Sequence, residues 1–133
     1  MADVLKARLT VRPRETRRRE DIVAQATLVN VGEEPVTLNL APLSAPSLAL
    51  EIVDAAGSPL RLPPPPVPGG ETQSTRVTPG QSYTLEYPGF LPQWTAEGTY
   101  RVRLRYLYRP EVAASDEWTG QLVSEYVQFS VLP

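Results

Sequence analysis

The side chains in this sequence with the most evident chemistry are arginines. Arg12, Arg14, Arg17, Arg18 and Arg19 fall within eight residues, and Arg101, Arg103 and Arg105 recur at every second position. A guanidinium group presents a planar fork of N–H donors that grips a carboxylate or phosphate with two parallel hydrogen bonds. Arg14, Arg17, Arg18, Arg19, Arg101, Arg103 and Arg105 are therefore the candidate partner-binding residues, and the partner is expected to be anionic. Glu15, Glu20 and Asp21 are interleaved with the first group, and no aromatic residue stands among its arginines to stack on a base. That combination points to an acidic protein surface and away from nucleic acid, with Arg14 and Arg17 to Arg19 exposed. Each group also has a plainer reading. The first is a solvated charged loop, and the second a ladder paired across strands with carboxylates such as Glu125.

Composition excludes most other chemistry. The 133 residues include no His and no Cys, and Lys6 is the sole lysine. There is accordingly no thiol nucleophile, imidazole base, disulfide or Cys/His zinc site, and nothing to activate the many Ser and Thr hydroxyls. Asp116-Glu117 is a lone acidic pair, short of the ligand count that calcium requires. The expectation is a protein without catalysis, cofactor or metal. Two overlapping P-x-x-P units, Pro63 to Pro66 and Pro65 to Pro68, read either as a polyproline II ligand for an aromatic groove or as a stiff crossover. Phe90, Trp94 and Trp118 fall in loops, as binding anchors or as plugs for the ends of a sandwich.

The net charge of −2 hides an asymmetry: residues 6–19 carry seven cations against Glu15, so the rest of the chain is strongly acidic. No segment approaches the ~18 apolar residues of a membrane span. The N-terminus lacks a basic stretch followed by an apolar one. The expected location is cytoplasmic, or periplasmic if an export signal has been removed, with no membrane partner.

Fifteen prolines argue against long helices, and period-two alternation recurs instead. Strands are predicted over 4–12, 22–30, 36–40, 48–54, 72–77, 83–87, 99–108 and 121–132, with a charged loop over 13–20. In the clearest, Tyr100, Val102, Leu104, Tyr106 and Tyr108 share one face and Arg101, Arg103 and Arg105 the other. Seven to nine short strands separated by turn signals predict an all-β, two-sheet antiparallel sandwich, one domain spanning 1–133. Leu28, Leu38, Val102, Leu104 and Phe129 should share its core.

Three pieces together resemble bacterial immunoglobulin-like and fibronectin III-like domains: Thr27-Leu28-Val29-Asn30-Val31-Gly32 with Pro35-Val36 behind it, Pro79-Gly80-Gln81-Ser82-Tyr83-Thr84-Leu85, and Gly98-Thr99-Tyr100-Arg101-Val102. The resemblance implies an immunoglobulin-like sandwich in which the Tyr100 hydroxyl returns to the backbone of the loop before it. The order of the pieces, with Asp54-Ala55-Ala56-Gly57 closing a strand, is also similar to the intracellular proteinase inhibitor family. Where that family has a tryptophan-rich segment, this chain has Pro63 to Pro66. The function these features imply is a non-catalytic protein-interaction module, an adaptor or assembly unit. The alternatives are an intracellular proteinase inhibitor, a carbohydrate-binding module using Trp94, Trp118 and Tyr108, and a structural subunit that assembles through edge strands.

Overall fold

The computed structural model describes residues 4–40, 48–60, 73–108 and 117–133. The proline-rich run and Asp116 lie outside them. The described residues form an all-β, sandwich-like fold with no α-helix. Nine strands have four or more residues: β1 (Leu5–Arg12), β3 (Val23–Asn30), β4 (Val36–Leu40), β5 (Leu48–Asp54), β7 (Gln73–Val77), β8 (Ser82–Pro88), β9 (Gly98–Tyr108), β10 (Gly120–Val123) and β11 (Val127–Val131). Two more, β2 (Glu15–Thr16) and β6 (Pro59–Leu60), have two residues each.

One sheet is β1-β3-β8. The other is β2-β11-β9-β5-β6, with β10 also on β9. Pairing is antiparallel except for β2 on β11. A separate ribbon pairs β4 with β7, an element that the two-sheet expectation did not contain.

Alternation places the core. Leu5, Leu9 and Val11 of β1, Ala24, Ala26 and Leu28 of β3, and Tyr100, Val102, Leu104 and Tyr106 of β9 are buried in one cluster with Leu38, Ile52 and Phe129. The five residues expected in the core are all in it. A one-residue slip in β9 would bury Arg103 and Arg105 instead, so the buried face fixes the register.

Buried polar groups tie the loops to this core. The Asn30 side chain donates to the carbonyls of Glu34 and Val77 and accepts from the Gly32 N–H. Its backbone carbonyl accepts from the N–H of Gly80, whose φ of 81° suits a residue without a Cβ. Asp54 similarly organises its turn, accepting from the N–H groups of Ala56 and Ser58. The Tyr100 hydroxyl donates to the Ala96 carbonyl at 2.6 Å, the corner expected from Gly98-Thr99-Tyr100. Tyr106 fastens the ribbon: its hydroxyl donates to the Asn39 carbonyl at 2.8 Å and accepts from the Asn39 N–H at 2.9 Å. Burial pushes the Tyr106 phenol well above its ordinary value.

Candidate functional site

β9 is the longest strand and is paired on both sides, so its outward side chains stand on a fixed platform. Arg103 lies directly opposite Glu51 of β5, and its Nε donates to Glu51 Oε1 at 2.9 Å. Arg105 approaches the other oxygen of the same carboxylate, Nη1 to Oε2 at 3.5 Å, and its own buried Nε–H has no acceptor among the described residues. Arg101 has no carboxylate partner among the described residues. The relief of like charge therefore comes from Glu51, not from Glu125 as the sequence suggested. Two guanidinium groups share one carboxylate, a third has none among the described residues, and the face is left positive.

An aromatic ring completes it. The Cζ atoms of Arg101 and Arg103 lie 5.4 and 4.8 Å from the centroid of Tyr126. Tyr126 stands at an interruption in what the sequence presents as one strand over 121–132. β10 and β11 both pair with β9, but their registers differ by one residue: Val123 is opposite Arg105, whereas Val127 is opposite Val102. The extra residue makes a bulge. Ser124 stabilises it by donating its N–H to the Leu104 carbonyl and accepting the Leu104 N–H on Oγ, both at 2.9 Å. Tyr126 and Val123 are each 39% exposed beside the arginines. Arginine and tyrosine flanking an exposed aliphatic are typical of energetically dominant residues at protein interfaces. Sequence reasoning missed Tyr126 because a bulge of one residue leaves no sign in the alternation.

The other arginine group is held differently. The stretch expected as a loop contains β2 and a 3-10 turn, Arg19–Asp21. Arg14 donates Nε–H to the Gln128 carbonyl on the edge of β11. Arg18 pairs with Glu20 and Asp21. Hydrogen bonds from its own backbone N–H and from Arg18 hold the Glu20 carboxyl below its ordinary value. Arg19 was expected to be exposed and is half-buried instead, because its Nε–H reaches the Thr95 carbonyl. Arg17 alone of the four is exposed with no hydrogen-bond or ion-pair partner among the described residues.

The aromatic loop residues separate. Phe90 packs edge-on against Phe129, with centroids 6.0 Å apart. Trp118 is half-buried against Tyr106 near the last residue of β9. Trp94 is 72% exposed, in the loop before the first residue of β9. The tryptophans thus stand at opposite ends of an eleven-residue strand and do not make one flat sugar-stacking patch. Among the described residues no group of three or more Asp, Glu, His or Cys could hold a metal, and no helix is long and apolar enough to cross a membrane. Neither a scan of protein-family models nor a search of curated proteins finds a match to this chain.

Proposed function

We propose that this chain is a non-catalytic protein-interaction module that meets an acidic protein segment with the outer face of β9, β10 and β11. The observation that carries this reading is a row of three arginines beside the exposed Tyr126, two of which share the carboxylate of Glu51 while Arg101 has no carboxylate partner among the described residues. An acidic surface would supply the missing counter-charges, and the Tyr126 ring would seat its apolar neighbours. The immunoglobulin-like class is the fold we favour, supported by the Tyr100 corner and by the passage of the chain from β1 in one sheet to β2 in the other.

The test is capture from a native lysate with wild type and with an Arg101→Ser, Arg103→Ser, Arg105→Ser variant of unchanged circular dichroism. A partner identified by mass spectrometry should bind the purified wild type in a salt-dependent manner and the variant at least ~10-fold more weakly. Equal binding by both would overturn the proposal.

One observation favours the inhibitor alternative. Trp94 is displayed on a loop pinned by Arg19 on the Thr95 carbonyl, by Gln93 on Glu20 and by buried Leu91. A rigid, exposed loop is what a protease inhibitor presents, because little ordering remains to be done on binding. Inhibition of any member of a protease panel, lost in Trp94→Ala, would decide for that reading.

A further inference from the structure

Among the described residues β1 is the outermost strand of its sheet and pairs only with β3. The Val31 N–H donates to the Val4 carbonyl, which fixes the phase of the ladder. In an antiparallel pair, alternate residues direct both backbone groups to the same neighbour. Lys6, Arg8, Thr10 and Arg12 therefore point their N–H and C=O groups at β3. Leu5, Ala7, Leu9 and Val11 point theirs at the open edge. Beside that edge runs a groove of about 620 Å³ along Leu5 to Thr10, whose opposite wall includes Leu122, Tyr126 and Val127. The facing edge of β11 is guarded, since Arg14 occupies the Gln128 carbonyl, and β2 pairs beyond it. Among the described residues the edge of β1 has no such guard.

We propose that the β1 edge is a docking site for an extended segment of another protein, added as a further strand, with acidic residues at alternate positions and apolar residues between them. The charge pattern selects this occupant. Arg12 is already paired with Glu86, but Lys6 and Arg8 have no carboxylate partner among the described residues. Both are exposed on the outer face of the sheet. On an incoming strand, residues opposite Lys6 and Arg8 lie two apart on that same face, so acids there form cross-strand ion pairs. The intervening residues turn inward, toward Leu122 and Val127. A second copy of this chain, paired through its own β1, would set Lys6, Arg8 and Arg12 against each other, and like charges on an edge oppose such pairing. This site involves a different strand from the β9 arginines and does not depend on them.

The probe is an acetylated and amidated hexapeptide of alternating Glu and Val, followed by amide hydrogen exchange and chemical shifts of the intact chain. Binding should slow exchange at Leu5, Ala7, Leu9 and Val11. Ala7→Pro removes a donor that faces the edge and not β3, a position where an edge strand tolerates proline. It should abolish binding. Lys6→Glu with Arg8→Glu, both on exposed side chains, should weaken binding at least ~10-fold with the fold intact, and this variant decides the matter if the proline variant does not fold. Arg101→Ser with Arg103→Ser should leave the slowing of exchange at Leu5, Ala7, Leu9 and Val11 unchanged, which separates this site from the proposed β9 face. Equal binding of a Lys-Val peptide, full binding by the Lys6→Glu, Arg8→Glu variant, or no binding at millimolar peptide would overturn the proposal. So would a dimer of the chain that Ala7→Pro dissociates, which would make a second copy the occupant.

Discussion

Of the four arginines in the segment 14–19, three are already engaged: Arg14 with the Gln128 carbonyl, Arg18 with Glu20 and Asp21, Arg19 with the Thr95 carbonyl. On β9, Arg103 and Arg105 divide one carboxylate, and Arg101 and Arg103 lean on Tyr126. The first group is denser in the sequence and less available in the structure. A segment that leaves one sheet and joins the other has backbone carbonyls to satisfy, and flexible guanidinium groups reach them. A strand interior has its backbone satisfied by its neighbours, so its arginines keep their donors for side chains and for partners. What a guanidinium already touches decides its availability; local charge density does not.

The platform beneath the β9 arginines can be tested by removing what holds it. Leu104 is fully buried between the positions that display Arg103 and Arg105. Leu104→Ala should lower stability by ~2–5 kcal/mol in denaturant unfolding. An effect below ~0.5 kcal/mol would mean that the face is not a rigid one. Tyr106→Phe removes the hydroxyl that bonds both the N–H and the carbonyl of Asn39, and should cost about 1–3 kcal/mol by the same measurement.

Alkaline titration examines the same strand. Burial raises the phenols of Tyr87 and Tyr106, which stay protonated in the folded chain, whereas tyrosines in the unfolded chain ionise near pH ~10. Their contribution to stability is complete below that pH and is lost as pH rises above it. Melting temperature should fall above pH ~10 and fall less steeply in Tyr106→Phe. A flat profile would contradict the burial of these hydroxyls.

The smallest effects sharpen the contrast between the arginine groups. Arg19→Ala removes the donor to the Thr95 carbonyl and should cost about 1 kcal/mol. Arg17→Ala, at an exposed side chain with no partner among the described residues, should change stability by less than ~0.5 kcal/mol. Equal effects would erase the distinction drawn between them.

Much of this architecture was legible because alternation is a direct imprint of a half-buried strand. β9 could be read residue by residue, with Tyr100, Val102, Leu104 and Tyr106 inward and the arginines outward. Turn chemistry was equally readable in Asp54 to Gly57, Pro79-Gly80 and the Tyr100 corner. What the sequence hid was pairing between distant segments. Glu51 lies fifty-two residues from Arg103 and meets it only through the β5–β9 register. Arg19 meets Thr95 across seventy-six residues. The bulge that separates Val123 from Val127 is held by the backbone N–H and hydroxyl of Ser124, a residue type common throughout the chain, so it could not be anticipated. The β4–β7 ribbon was hidden for a related reason: its strands were visible individually, but its attachment through the Tyr106 hydroxyl is a tertiary event.

The central claim is that the outer face of β9, and not the segment 14–19, is the acid-binding surface. It is tested most directly by titrating the protein with hexaglutamate at low salt while following the arginine Nε–H and Tyr126 ring resonances. The account predicts shifts at Arg101, Arg103 and Tyr126, little change at the engaged Arg14, Arg18 and Arg19, and tighter binding in Glu51→Gln, where the carboxylate shared by Arg103 and Arg105 is gone. Shifts centred on Arg14, Arg18 and Arg19, with no gain in Glu51→Gln, would contradict it.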